Sequence, residues 1–292
     1  MERITVFDFS GVYRDETFYR DLSHEWIDCT DLSGVNGFCD EEALAEIRRR
    51  SEGLTGRIHF IDGGNFHYIS YVMVMKIEEP FTLVVFDHHT DMKPSLFEEL
   101  LSCGCWIKRA LDDSRYLKRV VLLGVSDELA ETIPPEYRER VTVVPESVVA
   151  PESAEISESA AEPESTAEPE SAVVPESMAI RDEAWLESLR AELDGSVYLS
   201  VDKDAFHESE AVTDWDQGTM TLGQLERVCL ILKDRCRVLG VDVCGEADSN
   251  GGGISYDEAV RINDRANEKI VSIVSSCLPR LAEDGDKGGN EG

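Results

Sequence analysis

Basic residues are scarce in this chain of 292 residues. Its 28 lysines and arginines stand against 60 aspartates and glutamates, which gives a formal net charge of −32. Proteins that bind nucleic acids or anionic membranes through counterion release need a basic surface. We therefore expect neither a nucleic acid nor a membrane among the partners of this protein.

Long hydrophobic runs are also missing. The sequence contains no stretch of 18 or more apolar residues and no basic-plus-apolar leader at its start, so we expect neither a spanning helix nor secretion. The eight cysteines form no Cys-x-x-Cys pair and no zinc-finger spacing, which is typical of buried thiols in a reducing compartment. Hydrophobic residues make up 42% of the chain, enough for a full core. These features predict an acidic, globular, cytoplasmic protein.

One segment, residues 145–179, departs from globular composition. A Pro-Glu-Ser triplet recurs there every six residues from Pro145 to Ser177, with Ser157 in place of proline in the third copy. The repeats carry nine glutamates but no basic or aromatic residue, so they cannot bury enough apolar surface to offset the entropy of ordering. A solenoid is disfavoured because the recurring positions are mostly alanine, serine and glutamate rather than aliphatic.

We therefore predict that residues 145–179 form a disordered insert in a surface loop. The tail at residues 283–292 is rich in glycine and charge, and we predict that it is frayed. Residues 1–144 and 180–282 then form a single domain.

The rest of the chain alternates between short apolar runs and amphipathic stretches. The apolar runs predict strands at Ile4–Phe9, Ile58–Ile61, Thr82–Phe86, Arg119–Leu123, Val141–Val144, Val197–Val201 and Val238–Val243. The amphipathic stretches predict helices at Asp40–Glu52, Leu96–Leu101, Cys105–Leu111, Ala184–Leu193, Leu222–Lys233 and Tyr256–Cys277. Uniformly apolar strands are typical of a parallel sheet that is covered on both faces. The pattern predicts an α/β fold whose ligands bind at the carboxyl ends of the strands.

Two of these strand ends carry residues of the metal-ligand type. Asp87, His89 and Asp91 alternate directly after one apolar run, so their side chains project to the same side. Asp202 and Asp204 alternate in the same way at the end of another run. A single Asp-rich strand end is most often a helix cap or a solvated loop. Two such strand ends in one sheet favour a shared metal site.

A third strand leads into Gly63-Gly64-Asn65-Phe66-His67, where the glycine pair allows a sharp turn that can bring His67 into the same crevice. Four carboxylates in one crevice would repel each other unless a cation compensates them. A set of four carboxylates, two imidazoles and no thiolate favours a hard or borderline ion such as Mn²⁺. The sequence thus indicates a metal site.

The segments 63–67, 87–91 and 200–204 resemble, in this order, the three metal motifs of the arginase/agmatinase (ureohydrolase) family. The resemblance implies a three-layer α/β sandwich with a mostly parallel central sheet and a centre of two Mn²⁺ ions. Six ligands are implied: His67 and Asp91 for the first ion, His89 and Asp204 for the second, and Asp87 and Asp202 bridging both. The first motif has one extra residue, and the His-Gly segment that supplies a proton-shuttling histidine in arginase is absent after Asp91, so the branch is divergent and the substrate stays open.

Other residues are candidates for the substrate pocket. The strand at 238–243 resembles the family strand whose carboxylate pairs with the substrate guanidinium, which implies this role for Glu246, although a loop cap is equally compatible. Asp216 lies where the family has a substrate loop, but aspartate is also an ordinary turn residue. The leaving amine needs an acid, for which His88 and His207 are the candidates. Asp91 is implied both as a ligand and as a residue that orients the nucleophile.

The preferred hypothesis is an enzyme that hydrolyses the guanidino group of a small cationic substrate, such as arginine, agmatine or a related compound, to urea and an amine. Three alternatives stay open: a single-zinc amide hydrolase resembling the deacetylases, a hydrolase of arginine within a peptide, and an inactive metal-binding interaction protein. The family habit of trimers or hexamers also makes a homo-oligomer an open expectation.

Overall fold

The computed structural model describes residues 3–95, 100–150, 176–247 and 254–278. Its strands are β1 Ile4–Asp8, β2 His24–Asp28, β3 Phe38–Cys39, β4 Ile58–Phe60, β5 Phe81–Phe86, β6 Leu101–Ser102, β7 Leu117–Val125, β8 Val141–Pro145, β9 Gly195–Asp202 and β10 Cys236–Cys244. Its α-helices are α1 Glu41–Arg50, α2 Ile69–Val74, α3 Trp106–Asp113, α4 Asp127–Ala130, α5 Glu146–Val149, α6 Glu176–Glu192, α7 Leu222–Arg235 and α8 Tyr256–Cys277. None of the helices within these ranges is long and apolar enough to cross a membrane.

Eight strands form one sheet in the order β2-β1-β4-β10-β9-β5-β7-β8. Every pair of neighbours in this sheet is parallel. The short strands β3 and β6 form a separate antiparallel pair. Strands from both sides of the predicted insert therefore contribute to one sheet, with β10 and β9 from the later part lying between β4 and β5 from the earlier part.

The two faces of the sheet are buried in different apolar clusters. Along β5, Val84 and Phe86 belong to the cluster that contains the apolar residues of α6, α7 and α8. Leu83 and Val85 belong to the opposite cluster, together with α1, α2 and α3. Because side chains alternate along a strand, a strand buried on both faces is apolar throughout. The predicted three-layer α/β sandwich is confirmed.

The structure differs from the sequence prediction in several places, and the short elements α2, α4 and β3 were not predicted. The edge strand β2 was not predicted either, because its partly exposed residues include no apolar run. Leu101, the last residue of the predicted helix Leu96–Leu101, lies in β6 because it pairs with Cys39, and residues 96–99 of that prediction lie outside the described residues. The first Pro-Glu-Ser copy, placed in the predicted insert, forms the end of β8 and the helix α5, where Val149 is fully buried.

The second half of α5 therefore belongs to the packed domain, because an apolar side chain there reaches the core. At the other end of the insert, the backbone is already helical from Glu176. The predicted disorder of residues 151–175 and of the tail at 283–292 falls outside the described residues.

Candidate metal centre

The predicted ligands lie at the carboxyl ends of neighbouring strands. Asp87 follows β5, and Asp202 ends the adjacent β9. His67 follows β4, two positions further along the sheet, after a turn that includes Gly64. A side chain at Gly64 would come within 3.0 Å of the Trp215 ring, so glycine leaves the room that this tryptophan occupies above the crevice.

The first ligand group surrounds the imidazole of His67. Its Nδ1 lies 3.1 Å from Asp91 Oδ2, 3.2 Å from Asp202 Oδ2 and 3.4 Å from Asp87 Oδ2. All four side chains are buried. Three carboxylates thus face one imidazole nitrogen, and they belong to the residues that the resemblance assigns to the first ion.

The second ligand group surrounds His89. Its Nδ1 lies 2.9 Å from Asp204 Oδ2 and 3.5 Å from Asp87 Oδ1. Asp87 therefore directs one carboxylate oxygen to each group, as a bridging ligand must. The Oδ1 atoms of Asp87 and Asp202 each also accept a hydrogen bond from a backbone N–H two residues later, that of His89 at 2.6 Å and that of Asp204 at 3.0 Å. The bridging role of Asp202 stays an implication of the resemblance.

The carboxylates of the cluster are electrostatically unfavourable without a cation. Burial, together with the charges of Asp91 and Asp204, raises the pKa of Asp87 well above its usual value. Burial and the neighbouring Asp202 raise the pKa of Asp204 to about 6. The Oδ2 atom of Asp87 is also buried without a hydrogen-bond partner. An unpaired buried oxygen within a ring of carboxylates and imidazoles fits a bound divalent cation.

Hydrogen bonds from outside the cluster orient its ligands. The Nε2 atom of His67 lies 3.0 Å from the Ser200 hydroxyl, which donates to Asp242. With Nε2 as the donor to Ser200, a neutral His67 ring carries its lone pair on Nδ1, directed among the carboxylates where a cation would be bound. Ser200 alternates with Asp202 along β9, so the sequence pattern already places the two side chains on the same face. Asp242 contacts Ser200 only because β10 lies beside β9.

Asp91 is held in an uncommon backbone conformation. Its φ of 48° lies in the left-handed region, which costs a non-glycine residue on the order of 1 kcal/mol or more. The Trp106 Nε1–H donates to Asp91 Oδ2 at 2.6 Å, and the carbonyl of Asp91 accepts from the backbone N–H of Ile107 at 3.2 Å. Sequence reasoning missed Trp106, since no spacing links an indole to a ligand 15 residues earlier.

The structure corrects the placement of Glu246. Its carboxylate is buried away from the crevice, where it pairs with the fully buried Lys203 and accepts a hydrogen bond from Asn267 at 2.8 Å. The buried Lys203, between the predicted ligands Asp202 and Asp204, needs a counter-ion, and Glu246 supplies it. Glu246 is therefore not among the described residues that line the crevice.

Asp216 lies at the rim of the site. Its side chain is 76% exposed, and Oδ1 lies 3.3 Å from Nε2 of His89, the ring nitrogen that points away from the ligand group. Asp216 thus orients a predicted metal ligand. Asp216 also lines a wider cavity beside the crevice, so its contact with a substrate stays a prediction.

The two predicted proton donors do not line the metal crevice. The His88 ring is buried behind it, with Nε2 3.9 Å from Asp216 Oδ2, because alternation turns residue 88 away from its neighbours. His207 is exposed and contacts Ser209 Oγ at 2.9 Å. Neither position supports direct protonation of a substrate bound among the ligands.

The crevice itself is a cavity of about 40 Å³. Besides the six predicted ligands, described residues lining it include Lys93, Cys103 and Trp215. An open cavity of about 850 Å³ adjoins it at Trp215, lined in part by the acidic Asp214 and Glu208. A narrow reactive site therefore opens into a wider groove.

The chain was compared with protein families and with individual proteins. No family model matches the chain. An uncharacterized protein of Thermotoga maritima is 27% identical over 245 residues, which cover 84% of this chain and 80% of the relative.

Several solved structures with similar folds are described as agmatinases, arginases or formiminoglutamases. A hypothetical agmatinase from Burkholderia thailandensis has a TM-score of 0.59 at 16% identity and covers 94% of this chain and 84% of its own. The arginase from Bacillus caldovelox has a TM-score of 0.54 at 16% identity, covering 94% and 98%. A Trypanosoma cruzi formiminoglutamase with Mn²⁺ has a TM-score of 0.55 at 11% identity, covering 95% and 94%. The chain has the arginase-like ureohydrolase fold.

Proposed function

We propose that this protein is a hydrolase with a centre of two divalent cations, which cleaves a C–N bond of a guanidino or related amidino group. The observation that carries the proposal is the position of Asp87, whose two oxygens face two separate histidine-carboxylate groups. In this proposal His67, Asp91 and Asp202 hold the first cation, and His89 and Asp204 hold the second.

When bound, such a pair of cations supplies one piece of chemistry, which is the activation of a water molecule for attack on an electrophilic carbon. The protein residues orient the reactants. Trp106 fixes the oxygen of Asp91 that faces His67, and Asp216 fixes His89. The Trp215 indole lies over Gly64 and against the His89 ring, where it excludes solvent from a substrate in the crevice.

The residues around the crevice indicate the kind of substrate. A cationic guanidinium suits the acidic side chains Glu208, Asp214 and Asp216, which line the cavity that adjoins the crevice. Lys93 is the cation among the described residues that line the crevice, and its stem passes 3.6 Å from where a side chain at Gly104 would lie. We therefore propose that Lys93 holds a carboxylate at the far end of the substrate, which favours a guanidino acid over agmatine.

Two alternatives make different demands on the ligands. A single-zinc amide hydrolase resembling the deacetylases would need neither His67 nor Asp91, yet both lie in the first ligand group. The wide cavity beside Trp215 has room for a peptide. It therefore supports a variant of the proposal in which the guanidino group belongs to an arginine within a peptide.

The test is a metal and product analysis of the purified chain. We expect two divalent ions per chain by elemental analysis, with Mn²⁺ as the ion predicted from the sequence. We also expect release of urea from at least one of arginine, agmatine, a shorter guanidino acid or an arginine peptide. The Asp87→Asn variant should lose both properties, whereas Asp112→Asn, at a surface pair with Lys108, should keep them.

Other results would contradict the proposal. One zinc ion per chain and no urea from any of these compounds would favour the amide hydrolase. Loss of the preference for guanidino acids over agmatine in Lys93→Met, with the same metal content, would support the role of Lys93; an unchanged preference would contradict it.

A further inference from the structure

A buried thiol lies inside the first ligand group. Cys244 is the last residue of β10 and pairs in register with Asp202 of β9. Its Sγ–H donates to Asp202 Oδ2 at 3.1 Å, and the same oxygen lies 3.2 Å from His67 Nδ1. The ligand atoms of these three buried residues all lie within 4.8 Å of one another. The sulfur is therefore within reach of a cation that His67 and Asp202 share.

The backbone holds this thiol in place. The following residue, Gly245, has a φ of 95°, which favours glycine. A side chain there would come 2.6 Å from Asp202 Oδ1 and 2.9 Å from the backbone nitrogen of Lys203. The end of β10 thus passes directly against the loop that carries two metal ligands, and Cys244 is the residue that faces them.

We propose that Cys244 Sγ is a ligand of the first cation, together with His67 and Asp202, and that its proton is released to solvent when the cation binds. This inference rests on the metal centre of the proposed function. A sulfur donor favours thiophilic ions such as Zn²⁺ or Co²⁺ over Mn²⁺. The second group, around His89, offers only nitrogen and oxygen, so the two cation positions differ in preference.

Cobalt loading of the metal-free, full-length protein tests this proposal. A thiolate bound to Co²⁺ gives a near-ultraviolet charge-transfer band that nitrogen and oxygen ligands do not give. We expect this band in the wild type and in Cys103→Ser, since Cys103 lines the crevice but belongs neither to the two ligand groups nor to the cluster of His67, Asp202 and Cys244. Cys244→Ser should lose the band while it still binds Co²⁺, and its preference for Zn²⁺ over Mn²⁺ should fall about tenfold.

Each other outcome overturns a specific statement. Two bound Co²⁺ ions without the band in the wild type, or a band that persists in Cys244→Ser, would show that the thiol only donates a hydrogen bond to Asp202. If the wild type binds no divalent ion, the proposed metal centre falls together with this inference. X-ray absorption of the zinc-loaded wild type, which detects sulfur in the coordination shell without any substitution, decides the question if Cys244→Ser does not fold.

Discussion

At the scale of single residues, the chemistry of the site depends on carboxylates that the fold forces together. Asp87 is the clearest case, because its buried Oδ2 lacks a hydrogen-bond partner and its pKa is raised by burial and by the neighbouring Asp91 and Asp204. An ionised Asp87 therefore opposes folding of the metal-free protein and favours binding of a cation.

The substitution Asp87→Asn should weaken metal binding but stabilise the metal-free protein. Bound metal should fall from two ions to at most one, because the asparagine cannot bridge as an anion. The free energy of unfolding of the metal-free protein at pH 8 should rise by about 1 kcal/mol, since a buried charge is removed. Elemental analysis and urea denaturation in chelator measure the two effects. A destabilised metal-free variant would contradict this account.

Trp106 should control the affinity of the first cation. Trp106→Phe keeps the aromatic packing but removes the indole N–H that donates to Asp91 Oδ2. We expect the affinity for one of the two cations to fall about 10- to 100-fold, as is usual when a residue that orients a ligand is lost. Competition with a metal-sensitive dye measures this change, and Trp26→Phe, at the distant edge strand β2, is the matched control.

His59 should make the stability depend on pH. Burial, with a smaller effect of Lys76, lowers its pKa to about 3. Since the unfolded chain has a histidine pKa near 6.5, the neutral ring contributes stability that is fully present above pH 6.5 and lost as the pH falls towards 3. Between pH 7.5 and 5 this group should account for a loss of about 2 kcal/mol.

The variant His59→Phe, compared with the wild type in chelator, isolates this contribution. Urea denaturation at both pH values should show a smaller acid-induced loss in the variant, because the other titrating groups are common to the two proteins. An equal loss would show that His59 does not titrate as its buried position implies.

At the scale of elements, prediction succeeded where burial imposes a local pattern. The strand β5 is apolar throughout because both of its faces are covered, and the helix α7 begins at a capping box in which Thr221 and Gln224 exchange hydrogen bonds. The pattern is absent from β2, whose outer edge position leaves its residues partly exposed. The pairing that makes Leu101 a strand involves Cys39, far away in the sequence, so no local signal marks it.

The boundaries of the repeat segment give a prediction at this scale. Replacing residues 151–175 by a Gly-Ser linker of equal length should leave metal content and melting temperature unchanged. Replacing 145–177 should lower the melting temperature, because it removes the fully buried Val149 and the end of β8. Loss of a buried aliphatic side chain costs about 2–5 kcal/mol when it leaves a cavity. Equal melting temperatures for the two proteins would contradict the boundary at residue 150.

At the scale of the whole molecule, the net charge of −32 has separable parts. Nine of the glutamates belong to the Pro-Glu-Ser repeats, and four aspartates belong to the two ligand groups. The charges of the ligand groups are concentrated in one buried place, so their mutual repulsion opposes folding until cations compensate it. In the proposed metal centre, these four charges are the part of the acidity that bound cations would compensate.

Metal binding should consequently stabilise the whole domain. At a free cation concentration of 100 times the dissociation constant, each site should add about 2.7 kcal/mol to the free energy of unfolding. The gain should be smaller at pH 5 than at pH 8, because protons compete for the same carboxylates and imidazoles. Thermal unfolding with chelator and with added Mn²⁺ or Zn²⁺ measures both effects. A melting temperature that does not respond to either ion would contradict a metal centre.

The sequence alone determined the layered α/β fold and the ligand-type residues at three strand ends. Both follow from local rules, since the burial of a strand sets its composition and the alternation of side chains sets which residues share a face. Only the tertiary structure decided which residues surround those ligands. Because β10 lies between β4 and β9, it brings Cys244 against Asp202 and Asp242 against Ser200, and the same packing withdraws Glu246 into a buried pair with Lys203. The order of strands in a sheet is set by packing across the whole chain, and no short segment encodes it.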